Sequence, residues 1–127
     1  MALICSLGRV QSIFERVGGM RTVSRIISSF YDRVLTTPQL IHYFEGVDMR
    51  RLIDHQTKFV ASVMGGPASF TDEHLARVHK HLGIDDPSFE EVVLILRETM
   101  EDHNMNETDI GDVMSQVRSR KQFIVTG

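Results

Sequence analysis

Residues 75–84 read LARVHKHLGI, which places His79 and His81 two positions apart. Imidazoles bind zinc, copper and iron, so the first question is whether both rings could reach one ion. On a helix successive residues turn by about 100°, and positions i and i+2 point apart. His79 then shares an apolar face with Leu75, Val78 and Leu82, while His81 lies about 110° from the centre of that face, toward solvent. An H-x-H clasp would need an extended strand, and neither an HExxH motif nor a cysteine partner accompanies the pair. Zinc is therefore not expected. Taken alone, His79 is either a core histidine with both nitrogens satisfied by neighbours or one half of a ligand set.

Two further polar residues fall on apolar faces. Gln56 sits in the middle of a buried helical stripe, where an unpaired amide would cost about 1–3 kcal/mol. Tyr31 has an apolar body at a core position and a hydroxyl that needs a partner. One such residue is ordinary. Three inward polar groups on three segments suggest a pocket with apolar walls and a few aimed hydrogen-bonding groups.

The segments that must position these groups read as helices. Val23, Ile26, Ile27, Phe30, Tyr31 and Val34 follow the i, i+3, i+4, i+7 spacing of one buried face. Gly18-Gly19 stand before that helix. Thr37 is expected to cap a short helix that begins at Pro38. A second long helix is expected from near Asp48, burying Met49, Leu52, Ile53, Gln56, Phe59, Val60 and Val63, with a stop at Gly65-Gly66-Pro67. Thr71 would cap the segment carrying His79, with Asp72 and Glu73 in its first turn and Gly83 at its close. Asp86-Pro87 opens a helix that buries Phe89, Val92, Val93, Leu96 and Met100. A last helix after NMNE buries Ile110, Val113, Met114 and Val117. Strand-like alternation with turn spacing is not found, so the expected class is all-α.

At 127 residues the chain suits one domain with a real core, here expected to span 1–127 with residues 1–10 as an extension, either a short helix or flexible. Its 42% hydrophobic and 24% charged residues are ordinary for a globular protein. A net charge of −3 argues against nucleic acid as a partner. Arg118, Arg120 and Lys121 read as a solvated helix end. Cys5 is the one cysteine, which suits a reducing cytoplasm. No run approaches the roughly 18 apolar residues that cross a bilayer, and the opening MALICSLGRV lacks a long apolar core, so neither membrane nor export is expected.

The order Gly18-Gly19, FYDRVL, YFEGVDMRRL, HQTKF, Gly65-Gly66-Pro67 and VHKHLGI resembles the truncated haemoglobins of group I, over roughly residues 11–122. The resemblance implies a two-over-two helical sandwich enclosing one non-covalent haem b. By that resemblance His79 matches the proximal iron ligand and Phe44 the phenylalanine packed on the haem. Tyr31 and Gln56 match the distal hydrogen-bond donors, and Leu52 stands where many globins keep a distal histidine. His55, in DHQTKF, resembles the cyanobacterial members in which a histidine there binds iron when no gas is present. On the helical wheel it flanks Leu52 and Phe59 at the edge of the stripe, which suits either ligation or a place at the haem-propionate rim. The same subgroup can attach haem through a histidine on the last helix, but this chain has none beyond His103.

The remaining histidines have simpler placements: His42 in the short helix, His74 in a first turn, His103 near a helix end. Met64, Met100 and Met114 read as core fillers. Phe30, Phe44, Phe59, Val60, Val93 and Met114 are the expected pocket walls. The resemblance implies binding of dioxygen, nitric oxide and carbon monoxide, by a monomer or weak dimer. Three functions fit: dioxygen binding coupled to conversion of nitric oxide to nitrate, which needs an outside reductase; reversible gas binding or sensing without turnover; and bis-histidine redox chemistry through His55. A helical interaction module without haem would explain the helices but not the three inward polar groups.

Overall fold

The computed structural model describes residues 11–66, 79 and 82–125. Every regular element among them is helical, as the periodicity requires. The elements are α1 (Ile13–Val17), α2 (Gly19–Val34), α3 (Pro38–Ile41), a 3-10 turn (His42–Phe44), α4 (Met49–Val63), α5 (Asp86–Asp102), α6 (Glu107–Ser119) and α7 (Lys121–Ile124). Among the described residues no helix is long and apolar enough to cross a membrane. The expectations for Pro67, Thr71, Asp72, Glu73, His74, Leu75, Val78, His81 and the extension 1–10 lie outside the described residues.

Helix α2 is the centre of the fold and packs on both α4 and α5, while α5 packs on α6. Its inward positions Val23, Ile26, Ile27, Phe30, Tyr31 and Val34 are all buried, as their spacing predicts. Helix α5 buries Phe89, Val93, Leu96 and Met100 as expected and adds Ile95, Ser88 and Thr99. Thr99 is tolerated there because its hydroxyl donates back to the Ile95 carbonyl at 2.7 Å. Helix α6 buries Ile110, Val113, Met114 and Val117, the predicted face. Met64, Met100 and Met114 are core residues.

Helix α1 was not foreseen, although its signal is present. Ser12 and Glu15 form a capping box, with the Glu15 amide donating to Ser12 Oγ at 3.1 Å and the Ser12 amide to Glu15 Oε1 at 3.0 Å. Gly18 closes α1 in the left-handed region, φ 112°, and stands before α2. Where α1 crosses the end of α4, the Phe14 amide donates to the Met64 carbonyl at 2.9 Å. Gly66 leaves room for that crossing: a Cβ there would stand 2.7 Å from the Phe14 ring and 2.8 Å from the Ala61 carbonyl oxygen.

A buried acid also escaped the periodicity. Asp109 lies on α6 at 3% exposure and receives Arg16 from α1 in a two-point pair, Nη2 to Oδ1 at 2.6 Å and Nε to Oδ2 at 3.1 Å. The guanidinium holds the Asp109 carboxyl below its ordinary range, against the opposing effect of burial. The basic group at the C-terminal end is likewise engaged and is not a bare solvated face. Arg118 reaches Glu90 at 2.9 Å and Lys121 reaches Asp86 at 2.8 Å, so α6 and α7 are tied to the start of α5.

Two local expectations are corrected. Thr37 does stand before Pro38, but its hydroxyl does not cap α3; it donates to the Arg33 carbonyl at 2.8 Å, finishing α2. On α4 the predicted stripe faces inward, yet only Thr57, Val60 and Ala61 are buried, while Met49, Leu52, Ile53, Gln56, Phe59 and Val63 are half-buried. Leu52, Gln56 and Phe59 are open because they border a cavity.

Candidate functional site

The cavity is about 310 Å³ and lies between the first and second halves of the chain. Helix α2 contributes Ile27, Phe30, Tyr31 and Val34, because four consecutive steps of its buried face end there. Leu40, Tyr43, Phe44 and Val47 come from α3, the 3-10 turn and the loop after it. Helix α4 adds Leu52, Gln56, Phe59 and Val60, again one helical stripe. The opposite wall is His79, Leu82, Ile84 and, from α5, Ser88, Phe89, Val92 and Leu96, with Val117 and Ile124 closing the end.

Tyr31, Phe44, Leu52, Gln56, Phe59 and His79, far apart in sequence, therefore meet on one surface. His79 is helical and half-buried there. His55 is not among the lining residues: it stands about 100° round α4 from Gln56 and is exposed. Phe30 and Val60 form wall as expected, but Val93 and Met114 do not. They are buried against neighbouring helices, and the α5 wall is made one residue earlier, by Val92. His42 is exposed in the 3-10 turn, with its ring 4.0 Å from that of Tyr43. His103 caps α5, Nδ1 lying 2.9 Å from the Thr99 carbonyl.

Tyr31 is buried and held edge-on by two rings, Phe30 at 4.8 Å and Phe44 at 5.8 Å between centroids. Burial pushes its hydroxyl pKa far up, and a hydrogen bond from the Gln56 side chain offsets only part of this. The phenol thus stays protonated and can donate. Sequence reasoning missed Tyr43 and Ser88, the other polar pair on the wall, joined by a hydrogen bond of 3.2 Å. The signal was there in part: Ser88 lies one helical turn before Val92 and shares its face.

The donor chemistry of this cavity is selective. Its wall includes one imidazole and no described carboxylate or thiol, and among the described residues no group of three His, Cys, Asp or Glu could hold a metal ion. Among the described residues a bare ion would lack a full ligand set here. A metal carried inside a flat organic ring would need an imidazole to hold it and apolar walls around the ring, and His79 with Phe30, Phe44, Leu52 and Phe59 offers these. The residues present fit haem.

Comparison with known proteins first defines the class. A 2/2 hemoglobin from Synechococcus sp., solved in the cyanomet state with covalently attached heme, superimposes with a TM-score of 0.83 at 23% identity, covering 92% of this chain and 100% of that one. The fold is that of the truncated 2/2 globins. Relatives described as group 1 truncated hemoglobins include the following two. One, from Chlamydomonas moewusii, is 30% identical over 90% of this chain and 68% of its own length. The other, from Mycolicibacterium paratuberculosis, is 29% identical over 91% of this chain and 85% of its own length. The chain belongs to the bacterial-like globin family, whose model matches residues 12–125. Haem-based gas binding follows from that membership.

Proposed function

We propose that this chain is one globin domain over residues 1–127 that holds a single non-covalent haem b and takes up dioxygen, nitric oxide and carbon monoxide. The observation that carries the reading is the meeting of His79, Tyr31 and Gln56 on one apolar cavity. His79 would present its imidazole to the iron, and Phe44, Leu52 and Phe59 would enclose the ring. When bound, haem would supply an iron able to take a diatomic gas.

The chain's own residues do the rest. Tyr31 keeps its proton and donates, and the Gln56 amide offers a second donor. A hydrogen bond to a charge-bearing gas ligand is worth about 1.5–3 kcal/mol, enough to slow release by roughly tenfold or more per bond. The apolar walls would exclude water and so shield reduced iron from oxidation. The inward placement of Tyr31 and Gln56 favours gas uptake over bis-histidine redox chemistry, for which the exposed His55 would have to turn in from the edge of the α4 stripe.

The same site would suit nitric oxide dioxygenation. One nitric oxide and one dioxygen, with one electron added, give one nitrate, and the electron must come from a reductase outside this chain. The reading extends to a cytoplasmic monomer or weak dimer, in keeping with a single cysteine.

An optical spectrum tests the core of the proposal. A Soret band should develop on adding haem, and its absence would overturn the reading. Sharp low-spin bands in the reduced, gas-free protein would shift the assignment to His55 ligation. For the enzymatic activity, stopped-flow mixing of the oxygenated protein with nitric oxide must give nitrate and oxidised protein rapidly.

A further inference from the structure

The 3-10 turn His42–Phe44 presents Phe44 to Tyr31, yet it is only one turn long and such turns hold themselves weakly. Its anchor comes from another part of the chain. The Tyr43 hydroxyl donates to Ser88 Oγ at 3.2 Å, across 45 residues of sequence. Ser88 is itself fixed, at 3% exposure in the first turn of α5, where its amide donates to the capping carboxylate of Asp85 at 2.9 Å. The Ser88 hydroxyl and amide both bond that carboxylate and hold it below the ordinary range. A serine hydroxyl has one hydrogen to give and lone pairs to receive, so Ser88 can accept from Tyr43 while donating to Asp85. Tyr43, Ser88 and Phe44 all border the cavity.

We infer that Tyr43 is a positioning residue: its bond to Ser88 fixes the turn that sets Phe44 against Tyr31, and so fixes how the Tyr31 hydroxyl stands in the cavity. The route is short. Tyr43 and Phe44 are adjacent on one short turn, and Phe44 meets the Tyr31 ring edge-on at 5.8 Å. Phe30, the other ring on Tyr31, belongs to α2 itself and moves with it. Phe44 is thus the ring contact on Tyr31 that a separate element positions, while Gln56 of α4 meets the hydroxyl itself. The inference deepens the gas-binding reading and rests on it only where gas release is measured.

The chain has two tyrosines, so tyrosine 13C-labelled at the single ring carbon that bears the hydroxyl gives two NMR resonances, and in Tyr43→Phe only that of Tyr31 remains. In the purified protein Tyr43→Phe and Ser88→Ala should each shift or broaden the Tyr31 resonance in the same way, with the double variant adding nothing more. Asp102→Asn, which removes a surface pair with Arg33, should leave it in place. In the haem-loaded protein both variants should change the oxygen release rate by about threefold or more. A Tyr31 resonance unmoved by Tyr43→Phe and Ser88→Ala, or moved equally by Asp102→Asn, overturns the inference even where haem binds normally. Failure of the wild-type chain to take up haem would overturn the gas-binding reading and leave the resonance test standing.

Discussion

The ring of Phe44 stands edge-on to that of Tyr31, with centroids 5.8 Å apart and planes at 79°. Edge-to-face aromatic pairs prefer this arrangement, and Tyr31 has a second one with Phe30 at 74°. Its ring is therefore fixed by contacts that do not involve the hydroxyl. Ring packing and hydrogen bonding can be separated by one substitution.

Tyr31→Phe keeps both edge contacts and removes the donor. Oxygen release should quicken by about tenfold, measured by ligand replacement after rapid mixing. An unchanged rate would remove Tyr31 from the donor role. In the unaltered protein the raised Tyr31 pKa means that the donor keeps its proton well past the ordinary tyrosine value of 10.0, so no tyrosine-type rise in release rate should occur near it.

His79→Ala should leave the walls intact but lose the imidazole, so haem transfer to a competing acceptor should become rapid. A normal histidine-ligated spectrum in this variant would assign the proximal role to another residue.

Asp109→Asn should lower the thermal midpoint by about 5 °C and flatten the acid end of the stability curve. The sign follows from linkage: Arg16 lowers the folded-state pKa of Asp109 below the ordinary 3.8, so the contribution is full above that value and fades as pH falls through the folded pKa. Urea unfolding from neutral pH to pH 3 checks it. Arg16→Gln should give the same flattening, and the two changes together should be less than additive.

Gly66→Ala should destabilise by about 1–3 kcal/mol, since one of the two atoms its Cβ would crowd is the backbone oxygen of Ala61 and cannot swing aside. Gly111→Ala, in α6 with nothing within 4 Å of the added carbon, should stabilise by about 0.5–1 kcal/mol. Equal effects from the two substitutions would show that crowding at the Phe14 crossing is not what selects Gly66.

The sequence carried the helices further than it carried their surroundings. Helix α2 could be read residue by residue because all six of its inward positions are buried, including the four that border the cavity. Helix α4 presented the same kind of stripe, but periodicity says only which side turns inward. It does not say whether side chains or a cavity lie opposite, and so Leu52, Gln56 and Phe59 were expected to be more enclosed than they are. The three inward polar groups were legible as pattern breaks, and they do line one cavity. Asp109, Tyr43 and Ser88 were not, because each depends on a partner from a distant part of the chain. Helix α1 was legible in Ser12 and Glu15, but its inward positions are too few to declare a period.

The pair Arg16–Asp109 spans 93 residues of sequence and joins α1 to α6. Closing so long a loop costs chain entropy before any contact repays it, so this link belongs among the last to form in folding. Most of the core can assemble from nearer partners, α2 with α4 and α5 with α6. The clamp then reports completion: a chain emerging from synthesis cannot make it until Asp109 has appeared, and protection of α1 from exchange should mark the moment at which the domain becomes whole.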